Sequence, residues 1–124
     1  MSEVVAGPVA RWDRQLTSTT ANWWTCKPVV RELNRRVCGR TSPTPNHGLL
    51  TRVMQAKGDQ ILKTSVSVGC GNGRKEVELV KAGLVDRMRA FDLVGRRITQ
   101  ARHYAVWEGV SDRLEFVIGD AFAG

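Results

Sequence analysis

The first half of the chain carries apolar residues at helical spacing. Two segments show it, KPVVRELNRRVCG (27–39) and LLTRVMQAKG (49–58), and each ends in a glycine that suits a helix terminus. Between them, RTSPTPNHG (40–48) is rich in turn residues and predicts a loop. In the first helix, the apolar face is predicted to lie opposite a polar face made of Arg31, Asn34, Arg35 and Arg36. Residues 1–60 are therefore predicted to be a helical segment.

From Ile61 the pattern alternates between β-branched runs and amphipathic helical runs. The predicted strands are ILKTSVSVG (61–69), RMRAFDL (87–93) and DRLEFVIGDAF (112–122), and the predicted helices are RKEVELVKAG (74–83) and GRRITQARHYAVWEG (95–109). This β-α-β-α-β order is typical of a parallel sheet with right-handed crossovers. We therefore predict an α/β fold for residues 61–124: a Rossmann-like, doubly wound parallel sheet, incomplete with about three strands. Trp107 is predicted to cover the sheet.

Three glycines, Gly69, Gly71 and Gly73, lie where the first predicted strand ends and a helix begins. Glycines at this turn let a ligand approach the main chain closely, and the helix N-terminus presents free N–H groups. The dinucleotide fingerprint G-x-G-x-x-G requires a glycine at the position that Arg74 occupies. A pyrophosphate-binding site is therefore disfavoured.

Two carboxylates follow the other predicted strands. Asp92 ends the second strand, 19 residues after Gly73, where an acid can accept both hydroxyls of a ribose. Asp120 ends the third strand, where it can accept a hydrogen bond from an adenine amino group while the next backbone N–H contacts a ring nitrogen. Since parallel strand ends share one edge of the sheet, these groups are predicted to line one crevice.

With these residues in place, the chain resembles the class I S-adenosylmethionine-dependent methyltransferases over residues 62–122. SVGCGNG is similar to the family's first motif, AFDLVGRRITQAR to its acidic second-strand segment, and RLEFVIGDAF to its adenine-side motif. The resemblance implies S-adenosylmethionine as cofactor and S-adenosylhomocysteine as product. The cofactor-binding residues that it implies are Gly69, Cys70, Gly71 and Gly73 under the methionine portion and ribose, Asp92 on the ribose hydroxyls, Leu93 against the adenine, and Asp120 with Ala121 on the adenine edge. Structural alternatives remain open: close helix–strand packing for Gly73, helix capping for Asp92 and a turn acid for Asp120.

The same resemblance implies that part of the family's sheet is missing. The family has seven strands, and its acceptor-binding groups follow the fourth, so no catalytic residue is assigned. We expect a truncated cofactor-binding half of a methyltransferase, weak or inactive alone, with a small-molecule acceptor that the sequence does not identify. The unpaired edge of the first strand is expected to be covered by another segment or to associate with another chain. An alternative function is therefore a non-catalytic, methyltransferase-like binding module that completes its sheet with a partner or as a homo-oligomer.

Charge leaves further alternatives open. The net charge is +7, and residues 1–63 hold 10 Lys and Arg against 4 Asp and Glu, a net +6. A basic half can attract nucleic acid, but its charges are interspersed as on an ordinary solvated face, so this function is not favoured. The N-terminal segment is either a lid over the cleft, with Trp23 and Trp24 as aromatic walls, or a packed flank.

The remaining chemistry is sparse. Three cysteines without a secretory signal argue against disulfides, and their spacing from His47 does not suit zinc, so no metal is expected. With neither a signal peptide nor a membrane span in the pattern, we expect a cytoplasmic protein. Cys70 lacks the surroundings of a nucleophile, and His103 is predicted to be a surface or packing residue. Glu76 is either a first-turn acid of its helix or a contact to the cofactor's amine, with the first favoured.

Overall fold

The computed structural model describes residues 25–123. These fall into two compact units, residues 25–61 and residues 62–123. Trp23 and Trp24, for which a lid and a packed flank were the two alternatives, lie outside the described residues.

The first unit is a helical hairpin. Helix α1 spans Lys27–Cys38 and helix α2 spans His47–Lys57. Pro28 fits the first turn of α1, where its missing N–H costs nothing, and Gly39 ends the helix in the left-handed conformation, with φ of 83°. Both predicted helices are confirmed, but α2 begins inside the segment predicted to be a loop.

Asn34 explains the earlier start of α2. Its side chain is buried, and its Nδ2 donates hydrogen bonds to the carbonyls of Ser42 at 2.8 Å and Thr44 at 3.0 Å. Its Oδ1 accepts the N–H of Gly48 at 2.8 Å, which satisfies a free donor in the first turn of α2. The prediction of Asn34 on a polar face was wrong because helical spacing cannot show that a distant backbone will pair with an amide.

The second unit is an alternating succession of strands and helices. Its elements are β1 Leu62–Val68, α3 Arg74–Lys81, β2 Val85–Asp92, α4 Gly95–Trp107, a short 3-10 helix Ser111–Arg113, and β3 Leu114–Ile118. The strands are parallel and lie in the order β1-β2-β3. The predicted incomplete parallel sheet is thus confirmed. The third strand is shorter than predicted because a 3-10 turn precedes it and a second turn follows it.

One face of the sheet packs against the helices. Its side chains on β2 and β3 are buried, with Ala90 paired to Phe116, and Ile98 on α4 is fully buried. The buried stripe of α4 consists of Ile98, Ala101 and Ala105, spaced three and four residues apart. Trp107 lies two residues beyond this stripe and is 85% exposed, so the prediction that it covers the sheet was wrong.

Among the described residues, no helix has the length and apolar character needed to cross a membrane. Residues 25–123 also contain no group of three or more His, Cys, Asp or Glu side chains arranged to hold a metal ion.

Candidate functional site

The turn from β1 to α3 lies against the end of β2. Gly69, Gly71 and Gly73 have φ values of 70°, 61° and 75°, a region that side chains disfavour. The N–H groups of Gly69 and Cys70 both donate to the carbonyl of Phe91, at 2.8 and 3.0 Å. The glycines therefore allow a tight turn whose main chain is held to β2.

The side chain of Asp92 also holds this turn by a hydrogen bond. Its Oδ2 accepts the N–H of Gly71 at 2.8 Å, and its Oδ1 accepts the N–H of Val94 at 2.9 Å. Its backbone carbonyl accepts the N–H of Gly119 at 2.9 Å, just after β3. One residue thus links the carboxyl ends of all three strands, and helix capping alone does not describe it.

Asp120 sits in the turn after β3. Its Oδ1 accepts the N–H of Phe122 at 2.9 Å, and the residue is exposed. This is the hydrogen bonding of an Asx turn, so the role of turn acid belongs to Asp120 whatever else it binds. Its other carboxylate oxygen can accept a donor from a ligand.

A cavity of about 480 Å³ opens where these three strand ends meet. This size is in the usual range for a small-molecule site. Six of the eight residues predicted to bind the cofactor line it: Gly69, Gly71, Asp92, Leu93, Asp120 and Ala121. Six residues from three separate sequence motifs therefore lie together in the wall of this cavity.

The other two predicted residues, Cys70 and Gly73, do not line the cavity. A Cβ at position 73 would lie 2.8 Å from the Cβ of Ala101 and 2.9 Å from the ring of Phe116, so Gly73 permits close packing of the turn on α4 and β3. Cys70 is buried, with its Sγ 3.7 Å from the carbonyl oxygen of Gly71. Burial, reinforced by the charges of Glu76 and Asp92, raises the pKa of its thiol to about 12. Cys70 is thus a neutral thiol at neutral pH, which agrees with its lack of nucleophilic surroundings.

Glu76 is a buried carboxylate in the first turn of α3. Its Oε2 accepts the hydroxyl of Ser67 at 2.5 Å and pairs with the ammonium of Lys75 at 2.6 Å. Its Oε1 is buried without a hydrogen-bond partner in the described residues. Glu76 does not line the cavity, so its contacts support the role of a structural first-turn acid.

Sequence reasoning missed Arg97 and the apolar wall of the cavity. Arg97 is the third residue of α4, and Phe91, Val94 and Phe122 supply apolar surface around the acids. The available signal was position: Arg97 lies five residues after Asp92, in the first turn of the helix that begins beside it.

His103 is exposed, as predicted for a surface residue.

Comparison with known proteins shows which solved structures share this fold. No family model and no curated protein matches the sequence. Solved structures do. A methyltransferase from Geobacter sulfurreducens, solved with S-adenosyl-L-homocysteine, is 26% identical with a TM-score of 0.52 over 63% of this chain and 30% of its own. An RNA methyltransferase from Salinibacter ruber, also with that ligand, is 24% identical with a TM-score of 0.55 over 67% of this chain and 53% of its own. A dimethyladenosine transferase from Plasmodium falciparum is 26% identical with a TM-score of 0.52 over 64% of this chain and 28% of its own.

The sheet and its helices are thus a partial Rossmann-like unit with the fold of the class I S-adenosylmethionine-dependent methyltransferases, as the sequence resemblance predicted. The chain spans 30% and 53% of the lengths of the Geobacter and Salinibacter structures that it resembles.

Proposed function

We propose that the chain binds S-adenosylmethionine and forms the cofactor-binding part of a methyltransferase. The observation that carries the proposal is Asp92, whose carboxylate lies at the cavity wall and holds the glycine turn through Gly71. An acid at the end of the second strand, beside a glycine turn after the first, is the arrangement that binds a nucleoside in this class of sheet. The Geobacter and Salinibacter structures contain S-adenosyl-L-homocysteine, which supports the choice of ligand.

The cavity wall suits the separate parts of this cofactor. Each carboxylate oxygen of Asp92 accepts one N–H and has a further lone pair, so the two ribose hydroxyls can both donate to it. Leu93, 54% exposed, offers apolar surface to the adenine. Asp120 and the N–H of Ala121 would contact the adenine edge, and the turn at Gly69 and Gly71 would lie under the methionine part.

The bound cofactor would supply an activated methyl group on its sulfonium, while the residues described here hold and orient it. None of them is assigned as a catalytic base. A small molecule is proposed as the acceptor, since the basic residues of the chain are interspersed as on an ordinary solvated face, whereas nucleic-acid binding calls for a concentrated basic surface.

Calorimetric titration of the full chain with S-adenosylmethionine, S-adenosylhomocysteine and NAD tests the proposal. We expect the first two to bind and Asp92→Ala to weaken them about a hundredfold or more, because two hydrogen bonds to a charged group are lost. Asp86→Ala, an exposed acid on the same strand, is the matched control and should leave binding unchanged. A folded protein that binds only NAD, or neither adenosyl ligand, would refute the proposal.

Asp92→Ala also removes the hydrogen bond that holds the turn at Gly71. A second experiment therefore uses the wild-type protein and changes only the ligand. Wild-type protein should bind adenosine more tightly than 2′,3′-dideoxyadenosine, which lacks both hydroxyls. Equal affinity for the two would show that Asp92 supports the turn without contacting the ribose.

We also propose that a further strand pairs with β1. Within the described residues β1 pairs only with β2, and its Val66 and Val68 are 66% and 53% exposed. Open edges with apolar side chains favour pairing with another chain. Sedimentation should show concentration-dependent association of the wild type that Val66→Lys reduces; a monomer at all concentrations would contradict this.

A further inference from the structure

We propose that Arg97 binds the carboxylate of the cofactor's methionine part and so selects ligands that carry this group. This inference rests on the proposed function and extends it to a residue that the glycine and aspartate motifs do not include.

Arg97 is placed for this contact by the first turn of α4. It lines the cavity and is partly buried, and its Nη1 lies 3.2 Å from the point where a Cβ on residue 71 would stand. The guanidinium therefore lies close to the main chain at Gly71, and a side chain at position 71 would displace it by a few tenths of an ångström.

The charges of the cavity wall are arranged in a sequence along the sheet edge. Because the strand order is β1-β2-β3, the turn at Gly71 lies on the β1 side of Asp92, and Asp120 lies on the β3 side. A nucleoside with its ribose on Asp92 and its adenine toward Asp120 extends its 5′ substituent toward Gly71 and Arg97. Among the described residues of this wall, Arg97 alone is positively charged.

The 5′ substituent of S-adenosylmethionine carries one anionic group, the methionine carboxylate, and two cationic groups. A guanidinium attracts the first and repels the others, and its planar fork fits a carboxylate through two parallel hydrogen bonds. Arg97 is therefore expected to fix which way the amino-acid portion turns at the end of the cavity.

The experiment compares ligands that differ only in the carboxylate. Titrations of the full chain would use S-adenosylmethionine and decarboxylated S-adenosylmethionine, which keeps the sulfonium and the ammonium. The variants would be Arg97→Gln, Arg97→Lys, and Arg96→Gln as the matched control, since Arg96 is the exposed neighbour on the same helix. Circular dichroism and thermal melts would show that each variant is folded.

Wild-type protein should bind S-adenosylmethionine about tenfold to a hundredfold more tightly than the decarboxylated ligand. Arg97→Gln should remove this preference by weakening the binding of S-adenosylmethionine alone. Arg97→Lys should keep part of the preference, and Arg96→Gln should keep all of it. Equal affinity of the wild type for the two ligands overturns the inference without the need for any variant. The inference is also overturned if Arg97→Gln weakens the binding of both ligands equally or of neither.

Failure of the proposed function gives a different result. In that case the folded wild type binds neither adenosyl ligand, and both proposals fall. If both ligands bind with equal affinity, the proposed function stands and only the role of Arg97 is overturned.

Discussion

The backbone N–H of Gly71 and the Oδ2 atom of Asp92 are joined by a 2.8 Å hydrogen bond that spans 21 residues of sequence. The bond makes the glycine turn and the acid a single structural unit, because the carboxylate that faces the cavity also holds the turn in place. A change to either residue therefore alters both the fold and the cavity.

Asp92→Asn should lower the free energy of unfolding by about 1–3 kcal/mol, because the amide nitrogen cannot accept one of the two N–H bonds and leaves a donor unpaired. Chemical denaturation measures this loss, and hydrogen exchange of Gly71 and Val94 shows which bond is lost. Asp86→Asn, an exposed acid on β2, should change stability by less than about 0.5 kcal/mol. Equal effects of the two substitutions would show that the bonds from Asp92 contribute nothing.

Gly73→Ala should destabilise the second unit more than Gly83→Ala. Both glycines have a positive φ, 75° and 76°, so both substitutions impose backbone strain of about 1–2 kcal/mol. Only at position 73 does the new Cβ also meet other atoms, Ala101 and Phe116 at 2.8–2.9 Å, while position 83 has nothing within 4 Å. We expect a further loss of about 1–3 kcal/mol at position 73. Urea denaturation of the pair tests it, and equal midpoints would contradict the packing described.

Ser67→Ala should cost about 1.5–3 kcal/mol, because the hydroxyl donates to the buried carboxylate of Glu76. Ser65→Ala is the matched control, since Ser65 lies two residues earlier on the same face of β1. The expected result is a clearly lower denaturation midpoint for the first variant alone. Identical midpoints would mean that Glu76 does not depend on Ser67.

Cys70 should resist thiol reagents in the native protein. Its thiol is buried and its pKa is raised to about 12, whereas Cys26 is exposed. At pH 8 a disulfide reagent should label Cys26 quickly and Cys70 only after denaturation, as mass spectrometry of peptides would show. Rapid labelling of native Cys70 would contradict its burial.

The raised pKa of Cys70 also determines the direction in which the stability of the protein changes with pH. Cys70 holds its proton up to about pH 12 in the folded protein, compared with 9.0 for an ordinary thiol. Its contribution to stability is therefore complete below pH 9 and falls as the pH rises toward 12. The difference in unfolding free energy between wild type and Cys70→Ala should shrink over this interval; a constant difference would rule out the raised pKa.

Much of the second unit was predictable because its signals are local. Glycines end the first strand, an acid ends the second, and hydrophobic spacing separates the helices from the strands, so the strand ends and six of the cavity residues followed. The position of Arg97 after Asp92 was a weaker signal, because its closeness to Gly71, 26 residues earlier in the chain, is visible only in the folded protein. Asn34 was missed for a related reason: its partners lie 8 to 14 residues away, and all of them are backbone atoms.

Asn34 also bears on how the sequence of the helical hairpin can vary. Its three bonds reach main-chain atoms of Ser42, Thr44 and Gly48, so they do not depend on the side chains at positions 42 and 44. Position 48 is different, because a Cβ there would lie 2.8 Å from the Oδ1 of Asn34, 3.1 Å from the Cβ of Val37 and 3.2 Å from the Cα of Asn34. The last two contacts would remain if the side chain of Asn34 were replaced. In homologous chains that keep this hairpin, residue 48 should therefore stay glycine even where residue 34 changes, while positions 42 and 44 vary.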